Sequence, residues 1–430
     1  VKKSPKVKIT AIVAEFNPLH KGHEYIIGKA RKITGASHVL IVQSGNFTQR
    51  AEPAIQNKHV RAENAVRAGA DAVVEIPAVY ATGNAEIFAK ASIKIATSFP
   101  HVTNIAFGIE SDDLSVVKMI ATTQVRRERS FEKYMYEHLK KGISFDKARC
   151  EVIKKLLPKV PSEILEKTMS TPNNILAIEY IKELVRLKSS VVPIGIQRIK
   201  THSATDIRNY LLHNPTGPMK LSIAPAELAQ QCVRSFSAML EQSSGLAESF
   251  IDPVVLGAGF LLKRHFDIFG SQMLFSVMTK LDENIYNSNA ELVNLVRNLH
   301  PTTYDDLKRN APTKRFSVSR IARLALHSTL AVTKKDIAHL YENDWLPYTN
   351  LLAINMNADA LFSALCLNIK TPLVVRGNKI RPKDCAYSRT LKQIDARADL
   401  LYESICGQIV EKRPRFVSVS CLVLDYADES

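Results

Sequence analysis

Long apolar runs, patterned cysteines and acidic charge are scarce in this 430-residue chain, and each scarcity excludes a class of function. The longest low-charge apolar stretch, PVVLGAGFLL, falls well short of the ~20 residues a bilayer span needs, so no membrane-spanning role is expected. The opening VKKSPKVKITAIVAEF is basic, then apolar for only about seven residues, and no small-residue cleavage pattern follows. It reads as a solvated tail entering a buried strand. The six cysteines (150, 232, 366, 385, 406 and 421) form no CxxC pair and no Cys/His ligand spacing, which disfavours a zinc site or a disulfide framework. Reduced thiols in a cytoplasmic protein are expected. No internal repeat or low-complexity tract is found. Acid is outnumbered: 58 Lys and Arg against 42 Asp and Glu give a formal charge of +16. That excess calls for a polyanionic partner, and without a membrane anchor nucleic acid leads.

What is present is a strand–helix alternation. Apolar runs at 8–15, 38–43, 71–77, 102–108 and 191–197 alternate with helical patterns at 24–35, 57–69 and 85–99 and an extended helical stretch over 112–187. Nearly continuous apolar strands separated by helices imply a parallel sheet covered on both faces. The expected fold is α/β, a doubly wound, Rossmann-like, five-stranded parallel sheet closing near residue 212, with Ser203 or Thr205 capping its last helix. Pro and Gly cluster in HNPTGPMK (213–220), the best boundary. Two regions follow, 1–212 and a mainly helical 213–430, the latter with connections at 243–249 and 309–314 and short strands at 370–377 and 416–424.

In such a sheet ligands bind beyond the carboxyl ends of the strands. The first strand ends at Glu15, so FNPLHKGH lies where a ligand belongs. Gly22 permits close backbone approach, the following helix offers its positive end, and His20, Lys21 and His23 add donors suited to phosphate oxygens. A lone histidine beside a helix start is more often a cap or a core residue. Two flanking a glycine at a strand end favour function. Metal binding ranks below both, because ligand pairs on helices sit at i, i+4 and no third His or Cys is near; no metal ligand is assigned.

His20-Lys21-Gly22-His23 after a first strand resembles the signature of the nucleotidyltransferase superfamily with the HIGH motif. HSATDIR (202–208) is similar to that superfamily's second motif, ISSTxIR, in Ser203, Thr205, Ile207 and Arg208. VAEFNPLHKGH, SGNFTQRAEPAI, AVYATGNAEIFAKAS, FGIES and TPNNILAIEYIKEL further resemble, in order, the tRNA(Met) cytidine acetate ligases. The resemblance implies an ATP-dependent ligase that activates acetate as acetyl-adenylate, releasing pyrophosphate, and acetylates the exocyclic amine of the wobble cytidine of elongator tRNA(Met) to N4-acetylcytidine. His20, His23 and Arg208 would then be catalytic, stabilising charge on the α-phosphorus and the departing pyrophosphate.

By the same resemblance ATP is contacted by Val13, Ala14, Glu15, Phe16, Asn17, Pro18, Leu19, His20, Lys21, Gly22, His23, Glu24, Tyr25 and Ile26, with Gly108, Asn173 and Arg198. Mg2+ is expected with ATP. Gly108 ends a strand where base or ribose comes close, Asn173 offers donor and acceptor together, and Arg198 can grip a phosphate bidentately. The chain departs from the family pattern at Ala51, where Gly is usual, and at Ile109, where Ser is usual. Gln49 and Arg50 sit in a polar loop that reads equally as a flap, a tRNA contact or a plain solvated turn.

After residue 213 the resemblance thins. TKRFSVSRIARLALH (313–327) still matches a family block, whereas DENIYN (282–287) departs from one. Lys308 to Arg323 holds six basic residues and no acidic one, with Arg320 and Arg323 at i, i+3, a face suited to a phosphate backbone. A solvated charged face is the plainer reading. The main rival to the ligase is a nucleotidyltransferase adenylating a small phosphorylated acceptor, which has no need of a large basic second half.

Overall fold

The computed structural model describes residues 7–111, 113–199, 203–213, 251–313, 315–342, 345–366, 369–375, 386–406 and 415–417. The expected N-terminal tail, the boundary segment 214–220, the connection at 243–249 and most of the strand expected at 416–424 lie outside them.

The five expected strands form where the apolar runs stand: β1 (Ile9–Ala14), β2 (His38–Ser44), β3 (Ala72–Ile76), β4 (Val102–Ile109) and β5 (Val192–Gln197). All pair in parallel, in the order β5-β4-β1-β2-β3. β1 therefore lies at the switch point: the chain leaves it towards β2 and β3, then returns across it to β4 and β5. Period-2 alternation sends Ile9 and Ala11 into a large core, while Ile12 enters a smaller one on the opposite face. Helix α1 (Lys21–Thr34) contributes Ile27 and Ala30 to the smaller core, which α2 (Lys58–Arg67) also covers. Two short-loop helices follow β3, α3 (Ala78–Ala81) and α4 (Ala85–Ser98). The 112–187 stretch is helical as expected, from Leu114–Arg126 through Glu128–Lys140, Phe145–Leu156 and Ser162–Ser170 to Pro172–Arg186. The helix Pro172–Arg186 packs with α4 on the large-core face.

The sheet does not stop at five strands. β6 (Thr349–Asn355) pairs antiparallel with β3, β7 (Leu373–Val374) and β8 (Arg415–Val417) pair with β6, and the sheet has eight strands among the described residues. β6 is cemented by Thr349 Oγ1 donating to Glu75 O at 2.7 Å and Asn355 N donating to Asp71 O at 2.8 Å. TNLLAIN is a short apolar run among helices, and its partner lies 274 residues earlier in that hydrogen bond. Local periodicity carries no signal of so distant a pairing, which is why a five-stranded sheet was the natural expectation. β7 falls within the strand expected at 370–377, and β8 overlaps the start of the one expected at 416–424.

Otherwise the described second half is mostly helical: Ile251–Lys280, Ala290–Leu299, Tyr304–Asn310, Val318–Thr329, Lys334–Glu342, Asp359–Cys366 and Ala386–Cys406. PVVLGAGFLL opens the first of these, and no helix among the described residues is long and apolar enough to cross a membrane. The two halves share one large core, from Ile9 through Phe269 and Leu326 to Tyr402. A buried polar seam joins them as well. Lys58 Nζ lies 2.8 Å from Glu75 and 2.9 Å from Asp399, while Asp395 accepts from Ala78 N (2.8 Å) and Tyr348 Oη (2.7 Å). Burial and the neighbouring Glu75 raise the Asp395 pKa to about 7.

Candidate active site

Helix α1 begins where the first motif ends, and the motif itself makes the beginning. His20 is the N-cap: its Nδ1 accepts from Gly22 N at 3.1 Å, and His23 Nδ1 accepts in return from His20 N at 3.3 Å. This is a capping box built from two imidazoles instead of Ser and Glu. The rings stack with centroids 3.8 Å apart, and His23 meets Phe16 edge-on at 4.9 Å.

Burial, reinforced by Arg198, lowers the His20 pKa to about 4 against a smaller opposing pull from Asp206. Burial, then His20 and Arg198, holds His23 well below the usual histidine value. Both rings are neutral near pH 7. With each Nδ1 occupied as an acceptor, the single proton of each ring is assigned to Nε2 by the hydrogen bonding. The pair thus presents two N–H donors, and among the described residues neither Nε2 has a protein partner. The capping and phosphate-handling readings of these histidines are compatible: one nitrogen serves each.

The second motif arrives beside them. Ser203 and Asp206 close a capping box at the start of Ala204–His213, with Asp206 N donating to Ser203 Oγ at 3.2 Å and Ser203 N donating to Asp206 at 2.8 Å. Arg208, on the next turn, donates to Asn17 O, 191 residues away in sequence, and to Thr205 Oγ1 at 3.1 Å. Burial and the nearby Arg50 lower its pKa, so the guanidinium sits where more negative charge would be welcome.

These groups surround a cavity of about 410 Å3 at the carboxyl ends of β1 and β4, at the switch point. Of the residues singled out from sequence, Val13, Ala14, Glu15, Phe16, Asn17, His20, Gly22, His23, Ile26, Gly108, Asn173, Arg198 and Arg208 line it. Pro18, Leu19, Lys21, Glu24 and Tyr25 do not: Pro18 and Leu19 are buried beneath the loop, Lys21 faces solvent, and Tyr25 packs towards the smaller core. The helical period accounts for the last three, since one face of α1 can meet the cavity.

Asn173 Nδ2 donates to Glu110 Oε1 at 2.6 Å, and Arg198 approaches the same carboxylate at 3.5 Å. Asn174 Oδ1 accepts from Glu110 N (3.0 Å) and Ser111 N (3.3 Å), fixing the turn after β4. Among the described residues Glu110 Oε2 is buried without a hydrogen-bond partner, an acceptor available to a ligand hydroxyl.

The polar loop after β2 is anchored at its stem and exposed at its tip, where Arg50 meets solvent. Phe47 and Pro53 bridge its stem, Phe47, Ala51 and Ala54 are buried, and Thr48, Gln49, Arg50 and Glu52 reach the cavity. Gln49 N donates to Glu15 Oε1 at 2.7 Å. Beneath it the fully buried Arg61 donates to Gln56 O (3.0 Å), Ser44 O (3.3 Å), Gly45 O and Glu15 O, tying the ends of β1 and β2 together. Ala51 adopts φ 60°, the left-handed region in which glycine is at ease, so the family's glycine there has a backbone reason and this chain tolerates alanine at some strain. Ile109 faces the large core instead of the cavity: a Cβ on Gly195 would stand 2.7 Å from its Cδ1, so the isoleucine fills the space beside that glycine.

Sequence reading missed the opposite wall. Phe88 from α4, Phe107 from β4, and Leu176 and Tyr180 from Pro172–Arg186 line the large-core side, with Glu110, Thr48 and Glu52 at the rim. A tyrosine in a helical stripe with Ala177, Ile181 and Leu184 looks like core, and the only sequence signal was its place in the TPNNILAIEYIKEL block.

Fold and site together define a nucleotidyl transferase of the HIGH type, and the model of the HIGH Nucleotidyl Transferase family matches residues 7–415. The chain is 32% identical to the tRNA(Met) cytidine acetate ligase of Caldanaerobacter subterraneus subsp. tengcongensis (86% of this chain, 89% of that protein) and 31% identical to that of Acetivibrio thermocellus (86% and 88%). Among solved structures it resembles Thermotoga maritima TmcAL bound with alpha-thio ATP, with a TM-score of 0.80, 25% identity, and coverage of 96% of this chain and 100% of that one. The chain belongs to the tRNA(Met) cytidine acetate ligase family, a group of ATP-dependent ligases within the HIGH nucleotidyl transferases.

Proposed function

We propose that the protein activates acetate with ATP and acetylates the exocyclic amine of the wobble cytidine of elongator tRNA(Met), giving N4-acetylcytidine. The observation that carries this reading is the meeting of two motifs in one cavity: the neutral His20–His23 pair on one side and Arg208 on the other, tied by the Arg208–Asn17 hydrogen bond. The relatives' names supply acetate and tRNA(Met) as the joined parts.

In the first step a carboxylate oxygen of acetate attacks the α-phosphorus of ATP, the bond to the β-phosphate oxygen breaks, and pyrophosphate leaves. In the second the cytidine amine attacks the acetyl carbon, AMP departs with the anhydride oxygen, and the amine loses a proton. His20 and His23 donate Nε2–H to phosphate oxygens as charge builds on them, and Arg198 and Arg208 offset the charge of the leaving pyrophosphate. The positive end of α1 points the same way. Each is a preorganised donor that needs no rearrangement during reaction. Mg2+ would enter with the triphosphate; among the described residues no group of three or more His, Cys, Asp or Glu side chains is placed to hold a metal.

Residues 1–212 would carry this chemistry and 213–430 much of the tRNA contact. In the basic segment Lys308 is paired with Asp305 at 3.0 Å and Arg315 with Glu291 at 3.1 Å, which leaves, among the described residues, Arg309 and the i, i+3 pair Arg320 and Arg323 on Val318–Thr329 as the better phosphate contacts. The protein would work in the cytoplasm, where its tRNA is. Incubation with ATP, isotopically labelled acetate and elongator tRNA(Met), followed by digestion and mass spectrometry of the nucleosides, tests the proposal. Labelled N4-acetylcytidine dependent on all three components is expected, and its absence from tRNA that the protein binds sinks the reading.

A further inference from the structure

The cavity has two unlike walls because β1 and β4 alternate. On the α1 side the histidines and Arg198 supply polar groups, with Gly108 leaving space and Ile12, Ile26 and Ile27 as the floor. On the other side Phe88, Phe107, Leu176 and Tyr180 form an apolar recess, with the Phe107 and Tyr180 rings 5.6 Å apart. Nothing in the nucleotide reading uses that recess.

Tyr180 is 4% exposed and lines the cavity, and its hydroxyl has no hydrogen-bond partner among the described residues. A phenol hydroxyl without a protein partner at a cavity wall is a donor free to meet a ligand oxygen. Burial, then the charge of Glu15, raises its pKa far above the usual tyrosine value, so the group is a permanent O–H donor and suits an oxygen that only accepts. Leu176 and Tyr180 lie at i, i+4 on one helix face, which sets the apolar surface of the recess beside the donor.

We propose that this recess is the acyl subsite: the Tyr180 hydroxyl donates to an oxygen of a short carboxylic acid, and Phe88, Phe107 and Leu176 enclose its alkyl end and limit its length. This deepens the ligase reading and rests on it. The donor serves the carboxylate before activation and the carbonyl oxygen of the adenylate afterwards, since both are acceptors at the same end of the molecule. The selection of acetate over longer acids is then steric, set by three apolar side chains and independent of the phosphate donors on the opposite wall.

The test is pyrophosphate–ATP exchange by the full chain, driven by acetate, propionate or butyrate, with binding of a non-hydrolysable ATP analogue measured alongside. Tyr180→Phe, which keeps the ring, is expected to raise the acetate KM roughly ten- to a hundredfold, the scale of one hydrogen bond to a charged group, with the analogue's Kd unchanged. Leu176→Ala or Phe88→Ala is expected to shift preference towards propionate or butyrate by roughly tenfold per added methylene accommodated. An acetate KM for Tyr180→Phe within twofold of the parent's, or an unchanged acid preference in a folded Leu176→Ala protein, overturns the subsite while leaving the ligase reading intact. Parent protein that exchanges with none of these acids, yet binds the analogue, overturns both.

Discussion

Two buried histidine sites in this protein look alike electrostatically and differ in what they leave open. His20 and His23 are held neutral at the mouth of α1, and His327, in the helix Val318–Thr329, is held neutral with a pKa of about 3 by burial and Arg323. Both ring nitrogens of His327 are taken, Nε2 by Thr82 Oγ1 and Nδ1 by Asn287 Nδ2, each at 3.0 Å, and Tyr286 stacks on the ring at 5.2 Å. The cavity pair has each Nδ1 occupied and, among the described residues, no protein partner at either Nε2. A depressed pKa by itself therefore marks burial. The nitrogen facing a cavity is what sets the proposed catalytic pair apart.

The comparison breaks if the two sites respond alike to substitution. His23→Ala is expected to reduce acetate-dependent pyrophosphate exchange about a hundred- to a thousandfold, the cost of losing one preorganised donor, while tRNA binding in a gel-shift assay stays near the parent's. His327→Ala should do the reverse: it strands Thr82 and Asn287 between the halves and lowers stability by roughly 2–3 kcal/mol in urea titration, with turnover per folded molecule unchanged.

Smaller effects sharpen the contrast between the halves. Arg320→Glu with Arg323→Glu should weaken tRNA binding by roughly tenfold or more at low salt and flatten its salt dependence, with exchange unaffected. The last contrast is in pH. Between about 3 and 6.5 the unfolded chain binds a proton at position 327 that the folded one refuses, so this site's contribution to stability is complete above 6.5. It is lost as pH falls through that window, by up to about 1.4 kcal/mol per pH unit. His327→Gln should flatten the acid limb of a stability–pH curve measured by urea titration.

The parts legible in the sequence were local. Each of the first five strands is an apolar run bounded by charge or turn residues, and each motif is a few residues long at the start of a helix. What sequence could not show depends on distant partners. β6 is a strand because β3 offers an edge, the loop of Gln49 and Arg50 is anchored because Arg61 and Glu15 hold its base, and Tyr180 becomes a cavity residue only when α4 and β4 stand opposite it. The capping role of His20 likewise needed atoms: its Nδ1 accepts from Gly22 N, which leaves Nε2 for the proposed phosphate role.

The imidazole capping box also decides where a proton cannot go. For either ring to act as a base it must accept at Nδ1, which would release the backbone N–H it caps and loosen the first turn of α1. The helix start thus favours both rings as one-way donors, and in the proposed reaction the proton shed by the attacking amine would leave through phosphate, solvent or the carboxylates at the cavity rim.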